Sequence, residues 1–234
     1  MNIFTSSGIL ILIMFVLAFL QFIPSIFLLF SHYSHGQLSH KKASKLSQYF
    51  TLGAFFGIAL VFLLVYIILA CTKIFSNLDS TLFSWIFSGI FFATSLIVFL
   101  LYYRKGKNTK LFVSRKLVQK YHYSAAHSKT PSEAFLLGFL SVIPELFLTI
   151  PLFACASTEL IVYQKSPFIV ILYILFIILS ATIPLFAIRI AYHHHSNLAT
   201  IQKLRIKNKT FIKCFLSLTY LLIATIIISF RIIS

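Results

Sequence analysis

Apolar positions in this chain run on without alternating or recurring on a single face. Six stretches, at 8–30, 48–71, 82–103, 134–157, 167–190 and 211–231, are dominated by Leu, Ile, Phe and Val and hold very few charges. About 20 residues at 1.5 Å each are what a helix needs to cross a ~30 Å hydrocarbon core. Core helices of a soluble protein keep a polar face, and these stretches lack one. The pattern predicts an all-α membrane protein of about six transmembrane helices, with polar residues gathered between them. The longest break runs from Arg104 to Glu133 and is the one candidate linker.

Composition sharpens this picture. The 234 residues are 59% hydrophobic and 10% charged, with a mean hydropathy of +0.97. A soluble domain carries about 25% charged residues, so too little charge is present to solvate a globular surface, and lipid is expected to cover much of it.

The charge is lopsided: 20 Lys and Arg stand against Asp79, Glu133, Glu145 and Glu159, a net +16. Such a balance first raises nucleic-acid binding. Here, however, the basic residues sit in short segments between apolar runs. The first loop holds Lys41, Lys42 and Lys45, the third holds eight between Arg104 and Lys129, and the fifth holds Lys203, Arg205, Lys207 and Lys209. The second and fourth loops hold only Lys73 and Lys165, beside Asp79 and Glu159. By the positive-inside rule, loops one, three and five face the cytoplasm, both termini lie outside, and no nucleic-acid partner is expected. The expected location is the cell membrane, and abundant Phe, Ile, Lys and Ser point to a bacterial inner membrane. The first apolar run is too long for the 7–15-residue core of a cleavable signal and is expected to stay as a helix. In the third loop, Leu111, Leu117, Val118 and Tyr121 mark a weak basic amphipathic segment. The expected partners of the basic loops are anionic lipids.

The chain also repeats itself. Residues Leu17 to Leu28 read LAFLQFIPSIFL and Leu137 to Leu148 read LGFLSVIPELFL, with seven of twelve positions identical and Ile-Pro shared at Ile23-Pro24 and Ile143-Pro144. The segments fall in helices one and four, each the first of three. Two copies of an odd-numbered unit insert in opposite senses, the inverted-repeat plan of many secondary transporters. The expected organisation is a first three-helix repeat at 1–103, a basic cytoplasmic loop at 104–133 and a second repeat at 134–234. A proline inside a spanning helix removes a donor and displaces the carbonyl one turn back. Matched breaks in two halves are the sequence pointer to a central site. Pro24 and Pro144 are therefore expected at the site, with Pro151 as a second break in helix four and Pro184 as an unmatched kink in helix five.

Two inverted three-helix halves, the Gly-Phe-Leu-Ser-x-x-x-Pro-like opening of each and a long basic centre resemble the lysine-exporter superfamily. Its relatives include the cytochrome c biogenesis thiol-disulfide membrane proteins and exporters of amino acids and of cadmium, nickel or manganese ions. The resemblance implies a six-helix exporter fold with its site between the broken helices. In the thiol-disulfide branch a cysteine follows each proline; here those positions are Ser25 and Glu145. A redox relay is thereby disfavoured. Cys71, Cys155 and Cys214 match no family position, although Cys71 and Cys155 are expected near the outer ends of their helices.

Glu145 is the one carboxylate expected deep in the membrane, roughly 16 Å from the inner end of helix four. Buried acids there are costly when ionised and mark ion or proton paths. Glu145, aided by Ser25, Gln21 and Ser141, is expected to bind a substrate cation or a coupling proton; the alternative role is to hold helices together. Arg189 and Lys213 are expected to snorkel to the inner interface. Histidines gather in the expected cytoplasmic loops, and His32, His35, His193, His194 and His195 are candidate metal ligands, although no zinc-motif spacing accompanies them. No phosphate-binding or dinucleotide motif occurs, so neither a cofactor nor an enzymatic activity is expected. The functional expectation is a secondary transporter or exporter of a small solute or ion, with room for a homo-oligomer. The alternative is a membrane interaction or assembly protein whose basic loops bind partners.

Overall fold

The computed structural model describes residues 8–18, 40–72, 80–101, 130–143, 146–163, 166–193 and 209–232. Among these it is all-α, with seven helices: α1 Gly8–Ala18, α2 His40–Thr72, α3 Ser80–Leu101, α4 Pro131–Leu140, α5 Leu146–Tyr163, α6 Pro167–His193 and α7 Lys209–Ile232. Two of them, over Lys45–Thr72 and Pro167–Ala187, are long and apolar enough to cross a membrane by length and composition.

Several boundaries depart from the sequence reading. α2 begins at His40, so Lys41, Lys42 and Lys45 belong to its first two turns and not to a loop. Hydropathy alone ends a helix where charge begins, whereas basic side chains are good helix formers. His193 closes α6 and Lys209 opens α7 for the same reason. The expected linker ends at Thr130, because Pro131 to Glu133 form the first turn of α4. The cause is local: Thr130 Oγ1 accepts from the Glu133 N–H at 3.4 Å, and the Glu133 carboxylate accepts from the Thr130 N–H at 3.3 Å. This capping box, followed by proline at the first helical position, starts a helix where hydropathy shows only polarity.

The predicted fourth helix is two helices. α4 ends at Leu140, and Ser141 caps it with an N–H to Gly138 O bond of 3.1 Å, a tightened final turn. α5 resumes at Leu146 and runs to Tyr163, beyond the expected end at 157. Pro151 does not break it: the helix is continuous from one turn before the proline to three turns after it. α6 likewise passes through Pro184 unbroken.

α5 occupies the middle. Every described side chain from Leu152 to Leu160 is buried except half-buried Ala154. The surrounding core draws Ile9, Leu10, Ile13, Val16 and Leu17 from α1, Ile58 and Phe62 from α2, Phe87 and Phe91 from α3, and Leu216, Tyr220 and Ile223 from α7. The α1 residues recur at helical spacing, with Ile11 and Phe15 on the opposite, exposed face.

Two seams set the arrangement. In the first, Gly53 of α2 lies against the backbone of Phe135 and Phe139 in α4, Gly57 against Phe139 and Val142, and Gly138 against Phe50 and Ala54. Residue numbers rise together along both helices, so α2 and α4 run parallel. An added Cβ at Gly57 would stand 2.7 Å from the Phe139 carbonyl oxygen, and at Gly53 or Gly138 it would meet a backbone carbonyl still more closely. The Phe62–Phe153 edge-to-face contact, 5.2 Å between centroids, carries the same direction on to α5. In the second seam, Ser88 Oγ donates to Ala224 O at 3.1 Å and Ser95 Oγ to Ser217 O at 2.8 Å. Seven residues forward in α3 match seven backward in α7, so these helices are antiparallel. Ser84, Ser88, Phe91, Ser95 and Val98 are all buried, a spacing of four and three that keeps one face turned to the partner.

Candidate functional site

The break between α4 and α5 is where the sequence expectation and the structure meet most closely. The residue before a proline is pushed away from helical geometry, and the described chain leaves the α-helix at Ser141, Val142 and Ile143 before restarting at Leu146. Ser141 is half-buried, and its hydroxyl donates to Gly138 O, one turn back. It therefore caps α4, the first segment of the broken helix, three residues after the glycine that lets α4 approach α2. Pro144 and Glu145 lie outside the described residues, as do Pro24, Ser25 and Gln21 in the first half and His32, His35, His194 and His195. His193 is the last residue of α6. Among the described residues no group of three His, Cys, Asp or Glu is placed to hold a metal ion.

Sequence reading missed a second polar feature. Ser157, Thr158 and Glu159 follow one another in α5, and each is 1% exposed or less. Glu159 had been expected in the fourth loop beside Lys165; it is instead a buried residue of the central helix, one turn from its end at Tyr163. The bundle thus holds a buried carboxylate where the sequence reading expected a loop. Hydropathy drops at Ser-Thr-Glu, which mimics a helix end. Helix period tells otherwise, since Thr149, Leu152, Ala156 and Glu159 continue one stripe at spacings of three and four, and all four are buried.

The hydroxyls beside Glu159 behave differently from each other. Thr158 Oγ1 donates to Ala154 O at 2.7 Å, an intrahelical bond that satisfies it. Ser157 Oγ is buried and finds no hydrogen-bond partner among the described residues. Nearer the break, Tyr220 OH of α7 donates to Leu148 O at 2.8 Å. That carbonyl lies in the turn before Pro151, one residue after Phe147, whose carbonyl is the one that loses its intrahelical donor to the proline. A side chain from a neighbouring helix thus ties α7 to the turn of α5 that precedes the proline. Cys155 is buried in the core of the same helix while Cys71 is exposed at the end of α2, so these two thiols do not share a site.

Comparison of the chain with protein-family models, with curated proteins and with solved structures finds no match.

Proposed function

We propose that the chain is a polytopic membrane protein working as a secondary transporter of a small solute or ion. Its first half is α1 to α3, and its second is α4 with α5, α6 and α7. The observation that carries this reading is reciprocity. Ser95 Oγ donates to Ser217 O at 2.8 Å, Ser217 Oγ donates to Ser95 O at 3.2 Å, and the two hydroxyls stand 3.0 Å apart. Two segments that bond each other's corresponding groups in both directions form a self-complementary contact of the kind a twofold axis produces. Here the partners are the third helices of the two halves, and they run antiparallel, as inverted copies do. The second helices, α2 and α6, also pack on each other.

Membrane insertion is supported by where polarity lies. On α3 the hydroxyls of Ser84, Ser88, Thr94 and Ser95 are buried, while Leu82, Trp85, Phe92 and Phe99 are at least half exposed or nearly so. A water-soluble surface has the opposite sense, and this one suits hydrocarbon. α3, α6 and α7, at 22, 27 and 24 residues, reach about 33 to 40 Å at 1.5 Å per residue. In this reading the break at Pro144 and its match at Pro24 line the path, with Glu145 as the ion-binding group, an assignment that also fits the lysine-exporter resemblance.

Two measurements test the reading. A reporter fused after Ser234 is expected to report the outside; activity restricted to the cytoplasm overturns the inverted arrangement. In a deletion strain loaded with radiolabelled amino acids or divalent metal ions, restoring the chain is expected to lower accumulation of one of them, and Glu145→Gln to abolish that effect. Unchanged accumulation with Glu145→Gln removes Glu145 from the path.

A further inference from the structure

Both seams join one half of the chain to the other. The glycine seam binds α2 of the first half to α4 of the second, the serine seam binds α3 to α7, and α2 also packs on α6. A rocking of the first half against the second, the motion expected of two repeats around a central site, would have to break all three contacts together. Neither seam is built to slide. At Gly53 and Gly138 backbone lies directly on backbone. A serine hydroxyl drawn away from its carbonyl across the other seam leaves a buried polar group unpaired, which is costly.

Helix contacts divide the bundle differently. Among the described residues of α2 to α7, α7 packs closely on α3 alone, and α3 beyond α7 approaches closely only α5. α4, α5 and α6 each pack on α2. Two groups result, α3 with α7 and α2 with α4, α5 and α6, and each takes helices from both halves. The boundary between them is made by side chains. Phe87, Phe91, Leu216 and Ile223 enter the common core there, and the Tyr220 hydroxyl reaches across to Leu148 O at 2.8 Å. Apolar side chains re-pack when helices shear past one another by small steps, whereas the two seams hold their partners by backbone contact and hydrogen bonds.

We propose that the α3–α7 pair is a rigid arm that moves as one body against the group centred on α2, with the Tyr220 hydroxyl as a contact that holds it in the arrangement described. Its role as the moving part of a transport cycle rests on the transporter reading above. The moving bodies are then the two cross-half groups and not the two repeats.

Spin-label distances in lipid vesicles test the arm without a substrate. Nitroxides are attached at cysteines replacing the exposed Leu82 of α3, Leu218 of α7 and Leu175 of α6, in a chain whose Cys71, Cys155 and Cys214 are changed to alanine. The Leu82–Leu218 pair is expected to give one narrow distance. The Leu218–Leu175 pair is expected to give two populations, whose ratio shifts in Tyr220→Phe while the first distance stays unchanged. A single narrow distance for both pairs, unmoved by Tyr220→Phe, overturns the proposal, and so does a broad Leu82–Leu218 distance. A disulfide supplies the second measurement. Ser95 Oγ and Ser217 Oγ stand 3.0 Å apart, so Ser95→Cys with Ser217→Cys can be closed by oxidation and reopened by reduction in one sample. Transport by the restored strain is expected to be equal in the two forms, because the bridge lies inside the arm. Transport lost on oxidation and regained on reduction means that the halves part at this seam, which overturns the arm and keeps the transporter. Two populations in a protein that transports nothing keep the arm and remove the transporter.

Discussion

The glycine seam between α2 and α4 and the serine seam between α3 and α7 solve one problem in two ways. Each brings two helices together through small residues, one by close backbone approach and the other by hydrogen bonds. The glycine seam removes side chains: Gly53, Gly57 and Gly138 bring backbone directly onto backbone. The serine seam keeps small side chains and makes them bond across the interface. The first is a steric device that tolerates no added atom, and the second is a polar device whose members are individually replaceable. The difference also follows position. The glycine seam flanks the broken segment, where α4 must fit tightly to be held short of α5, while the serine seam joins two long unbroken helices.

The largest effect expected from this comparison is at the glycines. In Gly53→Ala or Gly138→Ala the new methyl meets a backbone carbonyl, which cannot rotate aside as a side-chain tip does. Overpacking of this kind costs about 1–3 kcal/mol or more. Thermal unfolding of the purified variants in detergent should show it. Gly89→Ala is the control: nothing lies within 4 Å of its added Cβ, and the helix-propensity gain of up to about 1 kcal/mol should appear undiminished. Equal midpoints for Gly53→Ala and Gly89→Ala would mean that the α2–α4 contact is looser than described.

Next comes Tyr220, which ties the serine seam to the central helix. It is fully buried, meets the Phe91 ring at a tilt of 36° with centroids 6.1 Å apart, and donates to Leu148 O. Tyr220→Phe keeps the ring and deletes the donor, removing the hydrogen bond from α7 to Leu148 O of α5. A loss of about 1–2 kcal/mol is expected, accompanied by faster amide exchange in the first turns of α5. Loss of stability without that local change would assign the hydroxyl to general packing instead.

Much of this architecture is legible in the sequence, and the parts that are not share a cause. Apolar runs located α3, α6 and α7 to within three residues at either end, because long apolar runs without a break are read directly by hydropathy. The break near Pro144 was legible because proline acts through covalent geometry. Pro151 does not break α5, because the helix is held on both sides of the proline by α7 at Leu148 and by α2 at Phe153, contacts that are remote in sequence. Glu159 was misread because hydropathy treats a polar residue as a helix end, whereas a helix enclosed by other helices can carry one. The Gly53-x-x-x-Gly57 spacing was present in an apolar run and is a known close-packing signature. Its counterpart across the seam is Gly138, which lies against Phe50 and Ala54, and only their juxtaposition in space shows that these glycines belong together.

The smallest expected effect tests the serine seam itself. Interhelical hydrogen bonds of this type contribute about 0.6 kcal/mol on average, with a maximum near 1.7. Single substitutions alone therefore decide little, and a double-mutant cycle is needed. Ser95 and Ser217 each bond the other's hydroxyl and the other's carbonyl, so Ser95→Ala already removes part of what Ser217→Ala would remove. The double variant should cost less than the sum of the singles by about 0.6 kcal/mol. Ser88 bonds only a backbone carbonyl, that of Ala224, so Ser88→Ala combined with Ser217→Ala should be additive. Additivity in both pairs would reduce the serine seam to small-residue packing, a gentler version of the glycine seam, and would remove the reciprocal contact on which the proposal of two inverted halves rests.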